Sequence, residues 1–130
     1  MANKYIYSIW KRKTASAQVK LFEGKGENKV NGKKITEYIT RDDLFDTVYT
    51  PLKLCKVKEN YYFDVKVSGW WIMAQAEAIR HWIVRNLSSN NEWFKKILKA
   101  AWLLTRDARK VERKKPWKHK ARKWMQWSKR

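Results

Sequence analysis

The stretch Tyr61-Tyr62-Phe63-Asp64-Val65-Lys66-Val67-Ser68-Gly69, followed after two residues by Ile72-Met73-Ala74-Gln75-Ala76-Glu77-Ala78-Ile79-Arg80-His81-Trp82-Ile83-Val84-Arg85-Asn86-Leu87, decides the fold. Its first half alternates. Tyr61, Phe63, Val65 and Val67 fall on one side, Tyr62, Asp64 and Lys66 on the other, as in a strand with one buried face. Its second half changes period: Ile72, Ala76, Ile79, Ile83 and Leu87 recur at intervals of three and four, which is one apolar face of a helix. A half-buried strand leading into an amphipathic helix is the seed of a sheet covered by helices.

Upstream, Thr14 to Phe22 repeats the alternation, with Ala15, Ala17, Val19 and Leu21 against Ser16, Gln18 and Lys20. Tyr5 to Ile9 is a shorter aromatic and β-branched run, a further strand. Gly24-Lys25-Gly26 reads as a loop, and Val30-Asn31-Gly32-Lys33 carries Asn-Gly, the strongest short hairpin signal. Asp42 and Asp43 are placed to cap a short helix through Leu44, Phe45 and Val48, which Pro51 would close. Downstream, Ser88-Ser89-Asn90-Asn91 breaks the long helix, and Asn91 caps another from Glu92 to Ala101. The expected fold is α+β: a small sheet with helices packed on one face.

The chain has 130 residues, enough for one domain with a real core and too few for a large multi-domain enzyme. Its single Cys55 excludes an internal disulfide framework and a cysteine-rich zinc site. No stretch approaches the ~20 consecutive apolar residues of a membrane span. The start, Met1 to Tyr7, is too short and polar for a signal peptide, so a cytoplasmic, soluble protein is expected. With 31 Lys and Arg against 12 Asp and Glu, the net charge is +19. Such self-repulsion calls for a polyanion: nucleic acid or an anionic membrane surface.

That charge is concentrated at one end. Residues 105–130 hold twelve Lys and Arg against Asp107 and Glu112, a net +10, with no apolar period. The boundary is expected near Leu104, with a globular domain over residues 1–104 and an extended basic tail over residues 105–130 that orders only on RNA. The candidate RNA contacts are Lys11, Arg12 and Lys13 at a sheet end, and Arg80 and Arg85 on the long helix. In the tail they are Arg106, Arg109, Arg113, Lys114, Lys115, Lys118, Lys120, Arg122 and Lys123. Neutralised phosphates release counterions, giving strong, salt-dependent affinity, and Arg adds bidentate phosphate contacts.

Catalysis has little to rest on. His81 and Cys55 are too few and isolated for a nucleophile–base pair, and a lone His in a basic helix reads as a phosphate or base contact, or as solvated. Asp42, Asp43 and Asp46 are better explained by capping than by metal binding. Gly24-x-Gly26 lacks the Lys-Ser/Thr ending of a phosphate loop. No cofactor, metal, membrane or small-molecule substrate is expected.

Several ordered segments resemble one family. They are Lys11-Arg12-Lys13-Thr14-Ala15; Val30-Asn31-Gly32-Lys33; Gln75-Ala76-x-Ala78-Ile79-Arg80-His81; Leu104-Thr105-Arg106-Asp107-Ala108-Arg109; Val111-Glu112-Arg113-Lys114-Lys115; and Gln126-Trp127-Ser128-Lys129-Arg130. Together they resemble the small-subunit ribosomal protein nine family nearly end to end. The resemblance implies a fold like the second domain of small-subunit ribosomal protein five, binding to small-subunit ribosomal RNA in the head, and neighbouring head proteins as partners. It also implies that Ser128, Lys129 and Arg130 reach the anticodon stem-loop of the peptidyl-site tRNA. An architectural DNA-binding protein is the main rival; no helix-turn-helix or zinc module supports it. A membrane-active cationic protein lacks an apolar face in its tail. An enzyme on the shared fold lacks a phosphate loop and an acid–base pair.

One departure is systematic. Trp10, Trp70, Trp71, Trp82, Trp102 and Trp117 stand where the family pattern has glycine, and Trp124 is a candidate for the same set. The family motif Gly-Gly-Gly-x-x-Gly-Gln is here Gly69-Trp70-Trp71-Ile72-Met73-Ala74-Gln75. Four glycines in 130 residues is low against the usual ~7%. The pattern suits UGA codons meant as glycine but written as tryptophan, with Trp93 and Trp127 genuine. Real indoles serving as base-stacking platforms are the alternative.

Overall fold

The computed structural model describes residues 5–126. Their elements run β1 (Tyr5–Arg12), β2 (Ala15–Glu23), β3 (Lys29–Val30), β4 (Lys33–Lys34), α1 (Ile35–Tyr38), α2 (Asp42–Leu54), β5 (Tyr61–Ser68), α3 (Ile72–Asn90) and α4 (Glu92–Ala100). The five strands form one mixed sheet in the order β1-β2-β5-β3-β4. The β1–β2 and β2–β5 pairs are antiparallel, and β3 runs parallel to β5. A parallel neighbour needs a crossover; α1 and α2 lie in the connection that makes it.

The alternation becomes burial directly. Ala17, Val19 and Leu21 lie across from Val67, Val65 and Phe63, all six buried on one sheet face. α3 covers that face over β1 and β2 with Ile79, Ile83 and Leu87, and α2 adds Val48 and Leu52. The opposite face stays open. Tyr5 lies 5.6 Å from Phe22, which stacks on Tyr62 at 4.9 Å, with Lys20 over the Tyr5 ring.

Two asparagines extend the very short β3 with their side chains. Asn28 Oδ1 accepts from Phe63 N at 3.0 Å, and Asn31 Oδ1 from Val67 N at 2.9 Å. Asn31 (φ 52°) and Gly32 (φ 79°) form the expected hairpin turn with both central residues left-handed. At Gly69 (φ 136°) an added Cβ would lie 2.6 Å from Ala15 Cα, so only glycine lets β5 pass β2 into α3.

Five expectations are corrected. Pro51 does not close α2, which runs on to Leu54; the buried ring offsets the one helical bond it cannot donate. Ser88 and Ser89 do not break α3, because their hydroxyls donate to Arg85 O at 2.9 Å inside the helix, which ends only at Asn90. Ile72 is off the buried face, 47% exposed in the first turn. Asp42 and Asp43 do not cap α2: Arg41 holds the N-cap position without a side-chain bond, and both acids lie in the first turn, where they favour the positive end of the helix dipole. His81 is neither solvated nor a surface contact: it is buried, with Trp10 edge-on at 4.9 Å. The expected cap of α4 is present, Asn91 Oδ1 accepting from Trp93 N at 2.9 Å.

Candidate nucleic-acid interface

The cationic surface begins at the end of β1. Lys11 and Lys13 are exposed, but Arg12, paired with Ala15, turns to the helix-covered face and is only 8% exposed. There each of its three guanidinium nitrogens donates one bond. Nε donates to Glu77 Oε2 at 2.8 Å, Nη1 to Arg109 O at 2.7 Å, and Nη2 to Asp107 Oδ2 at 3.1 Å. One planar fork thus ties the end of β1, the face of α3 and the first residues of the tail together.

Asp107 is the pivot of this latch. Besides Arg12 it accepts from the Arg109 backbone N–H at 3.0 Å and pairs with Arg109 Nη2 at 2.9 Å. Bonds from the Arg109 side chain, then its N–H, hold the Asp107 carboxyl well below the usual carboxylate range, and the Arg12 charge adds to this. Leu103 and Leu104 pack against the core just before it. Beside the latch lies an open cleft of about 530 Å³, lined by Arg12, Lys13, Trp71, Met73, Glu77, Arg109 and Lys110.

Glu112, the tail's other acid, organises a second local unit. It accepts from Lys115 Nζ at 2.6 Å and Arg122 Nε at 3.0 Å, which lower its pKa. Lys115-Pro116-Trp117-Lys118 turns back on itself, with Lys118 N donating to Lys115 O at 3.3 Å. His119 N donates to Lys123 O at 2.8 Å, and Lys118 Nζ sits 4.4 Å over the Trp124 ring. Beyond α4, therefore, the described chain holds no helix or strand, only a latch and a turn, each built on one of the two acids.

The remaining cations surround these anchors. Arg106, Arg113, Lys114, Lys120 and Lys123 are exposed. Arg109 and Arg122 keep more than four-fifths of their side chains in solvent despite their ion pairs. Lys115 and Lys118 are half-buried. On α3, Arg80 is half-buried and the exposed Arg85 lies 5.2 Å over the Trp10 ring. Burial first, then the charges of Arg85, Arg80 and Arg106, push the His81 imidazole below its ordinary pKa, so it is neutral near pH 7. Ser128, Lys129 and Arg130 lie outside the described residues.

The sequence reading missed Glu77 and Asp107. The available signal was their sign: each is an isolated acid in a basic neighbourhood, and such an acid has a cation to hold. Among the described residues no cluster of His, Cys, Asp or Glu could hold a metal, and no helix is long and apolar enough to cross a membrane. Burial pushes the Cys55 thiol up, making it a core side chain rather than a nucleophile.

A small α+β fold followed by a strongly basic segment, latched to it through Asp107, defines the class: a compact, highly cationic protein. The family described as Ribosomal protein S9/S16 matches residues 10–130. The chain is 42% identical to Small ribosomal subunit protein uS9 of Maridesulfovibrio salexigens and 39% identical to that of Lawsonia intracellularis, each over 130 residues covering all of both chains. The chain belongs to the Ribosomal protein S9/S16 family, and so to the small ribosomal subunit and to translation rather than to an enzyme class.

Proposed function

We propose that the chain binds small-subunit ribosomal RNA in the head, beside neighbouring head proteins, and that its last residues, Ser128, Lys129 and Arg130, touch the peptidyl-site tRNA. The supporting observation is the fixed exit of the tail. Residues 105–130 carry +10, and the Arg12–Asp107 latch sets where that charge leaves the domain. Residues 1–104 act as the folded platform and residues 105–130 as a filament completed by RNA. Within this scheme Arg12 is a positioning residue, each of its guanidinium nitrogens already bonded inside the protein. The RNA-facing set is Lys11, Lys13, Arg80, Arg85, Arg106, Arg109, Arg113, Lys114, Lys115, Lys118, Lys120, Arg122 and Lys123.

Small subunits reconstituted with a chain lacking residues 128–130 should assemble and sediment normally yet hold peptidyl-site tRNA more weakly. Unchanged tRNA affinity refutes the tail role. Binding of the full chain to head-RNA fragments should fall steeply with salt. Replacing Lys120, Arg122 and Lys123 by Gln should reduce the log–log slope by roughly 0.7–0.9 for each phosphate that is no longer neutralised.

A further inference from the structure

Of the eight tryptophans among the described residues, two have a left-handed backbone: Trp102 at φ 61° and Trp117 at φ 66°. Roughly a few per cent of non-glycine residues do so, and for bulky side chains the conformation is an outlier. Both sit in motifs that ask for glycine. After α4, Leu103 N donates to Leu98 O and Trp102 N to Lys99 O, each at 3.1 Å, which is the helix-ending pattern whose left-handed position glycine usually fills. In Lys115-Pro116-Trp117-Lys118, Pro leads and Trp117 takes the third, left-handed place, the pairing of a Pro-Gly turn.

Burial does not offset the strain, since Trp102 is 84% exposed and Trp117 69%. Lys13 at φ 52° and Lys56 at φ 56°, the latter ending α2 in the same pattern, bear the same cost at Cβ; at 102 and 117 it coincides with the two turn motifs that ask for glycine. A third indole, that of Trp82, is 1% exposed between α3 and the sheet. Its Nε1–H is, among the described residues, the one buried side-chain polar atom without a hydrogen-bond partner. Buried tryptophan normally finds one.

We infer that positions 82, 102 and 117 are glycine in the polypeptide the source cell makes, their codons being UGA read by a glycine tRNA. The backbone at 102 and 117 is then unstrained, and the orphaned buried donor at 82 is gone.

The test is peptide mass spectrometry of the chain isolated from source-cell ribosomes, together with the codons of its gene. Glycine at all three positions over UGA codons is expected. Tryptophan at any of the three, whether from UGG or UGA, overturns the inference. A second measurement uses the full chain made with tryptophan throughout, compared with its Trp102→Gly variant in urea unfolding. Relief of the left-handed strain should raise the folding equilibrium constant roughly fivefold, whereas an unchanged or lowered constant counts against glycine at 102.

Discussion

Replacing Arg12 by Ala should release the tail from the domain without dismantling the sheet. Arg12 makes three charge-assisted bonds, and its own side chain is one-tenth exposed. A hydrogen bond to a charged group contributes roughly 1.5–3 kcal/mol. The Glu77 bond, with the acid's side chain 20% exposed, counts most nearly in full. The bond to Arg109 O adds a fraction, and the Asp107 limb, screened by water, is left out. The loss is therefore about 2–3 kcal/mol, or a fall in Tm of roughly 6–12 °C for a chain of this size. Thermal unfolding by circular dichroism reads the first effect. Trypsin reads the second, because cleavage after Arg109 and Lys110 should accelerate in the folded variant. Arg12→Lys should recover little, since an ammonium cannot span three acceptors with a fixed fork. A variant that melts at the parent temperature and is cut at the parent rate refutes the latch.

Acidification from pH 7.5 to 5 should lower the urea midpoint. The buried imidazole of His81 titrates below its unfolded value of about 6.5, so the unfolded chain takes up the proton first and the stability present above that pH drains away below it. His81→Gln should flatten the profile. The lowered carboxyls of Asp107 and Glu112 stay out of this window, since their contribution is present above the ordinary carboxylate range and lost only below about pH 4. Asn91→Ala should cost about 1 kcal/mol in denaturant unfolding by removing the cap on α4, with Asn91→Asp close to neutral. Gly69→Ala should destabilise by about 2–3 kcal/mol or more, because the new Cβ meets Ala15 and the backbone is left-handed; parent-like stability would show that β2 and β5 can part there at little cost.

The sheet and the long helix were legible because their periods are long: Phe63 to Ser68 and Ala15 to Leu21 alternate without interruption, and Asn31-Gly32 names its own turn. What stayed hidden depends on partners distant in sequence. Arg12 looks like its neighbours Lys11 and Lys13 until β1 is known to continue three residues past Ile9, placing it opposite Ala15 and facing inward. Its acceptor Asp107 lies 95 residues away. His81 reads as a surface base in a basic helix until Trp10 is found against it. Pro51 and Ser88-Ser89 are breakers by local rule, overruled by burial of a ring in one case and by hydroxyls that return their bonds to the helix in the other. The parallel pairing of β3 with β5 has no local signature, since two residues cannot show a period.

The two margins of the sheet are unequal in a way that matters before the protein reaches its RNA. At one end β4 is Lys33-Lys34 alone, too brief and too charged to template another strand. At the other, β1 offers eight residues with Tyr5, Ile6, Tyr7 and Ile9 exposed and, among the described residues, no strand on its outer side. Adhesion between newly made copies would therefore begin along β1 and not along β4.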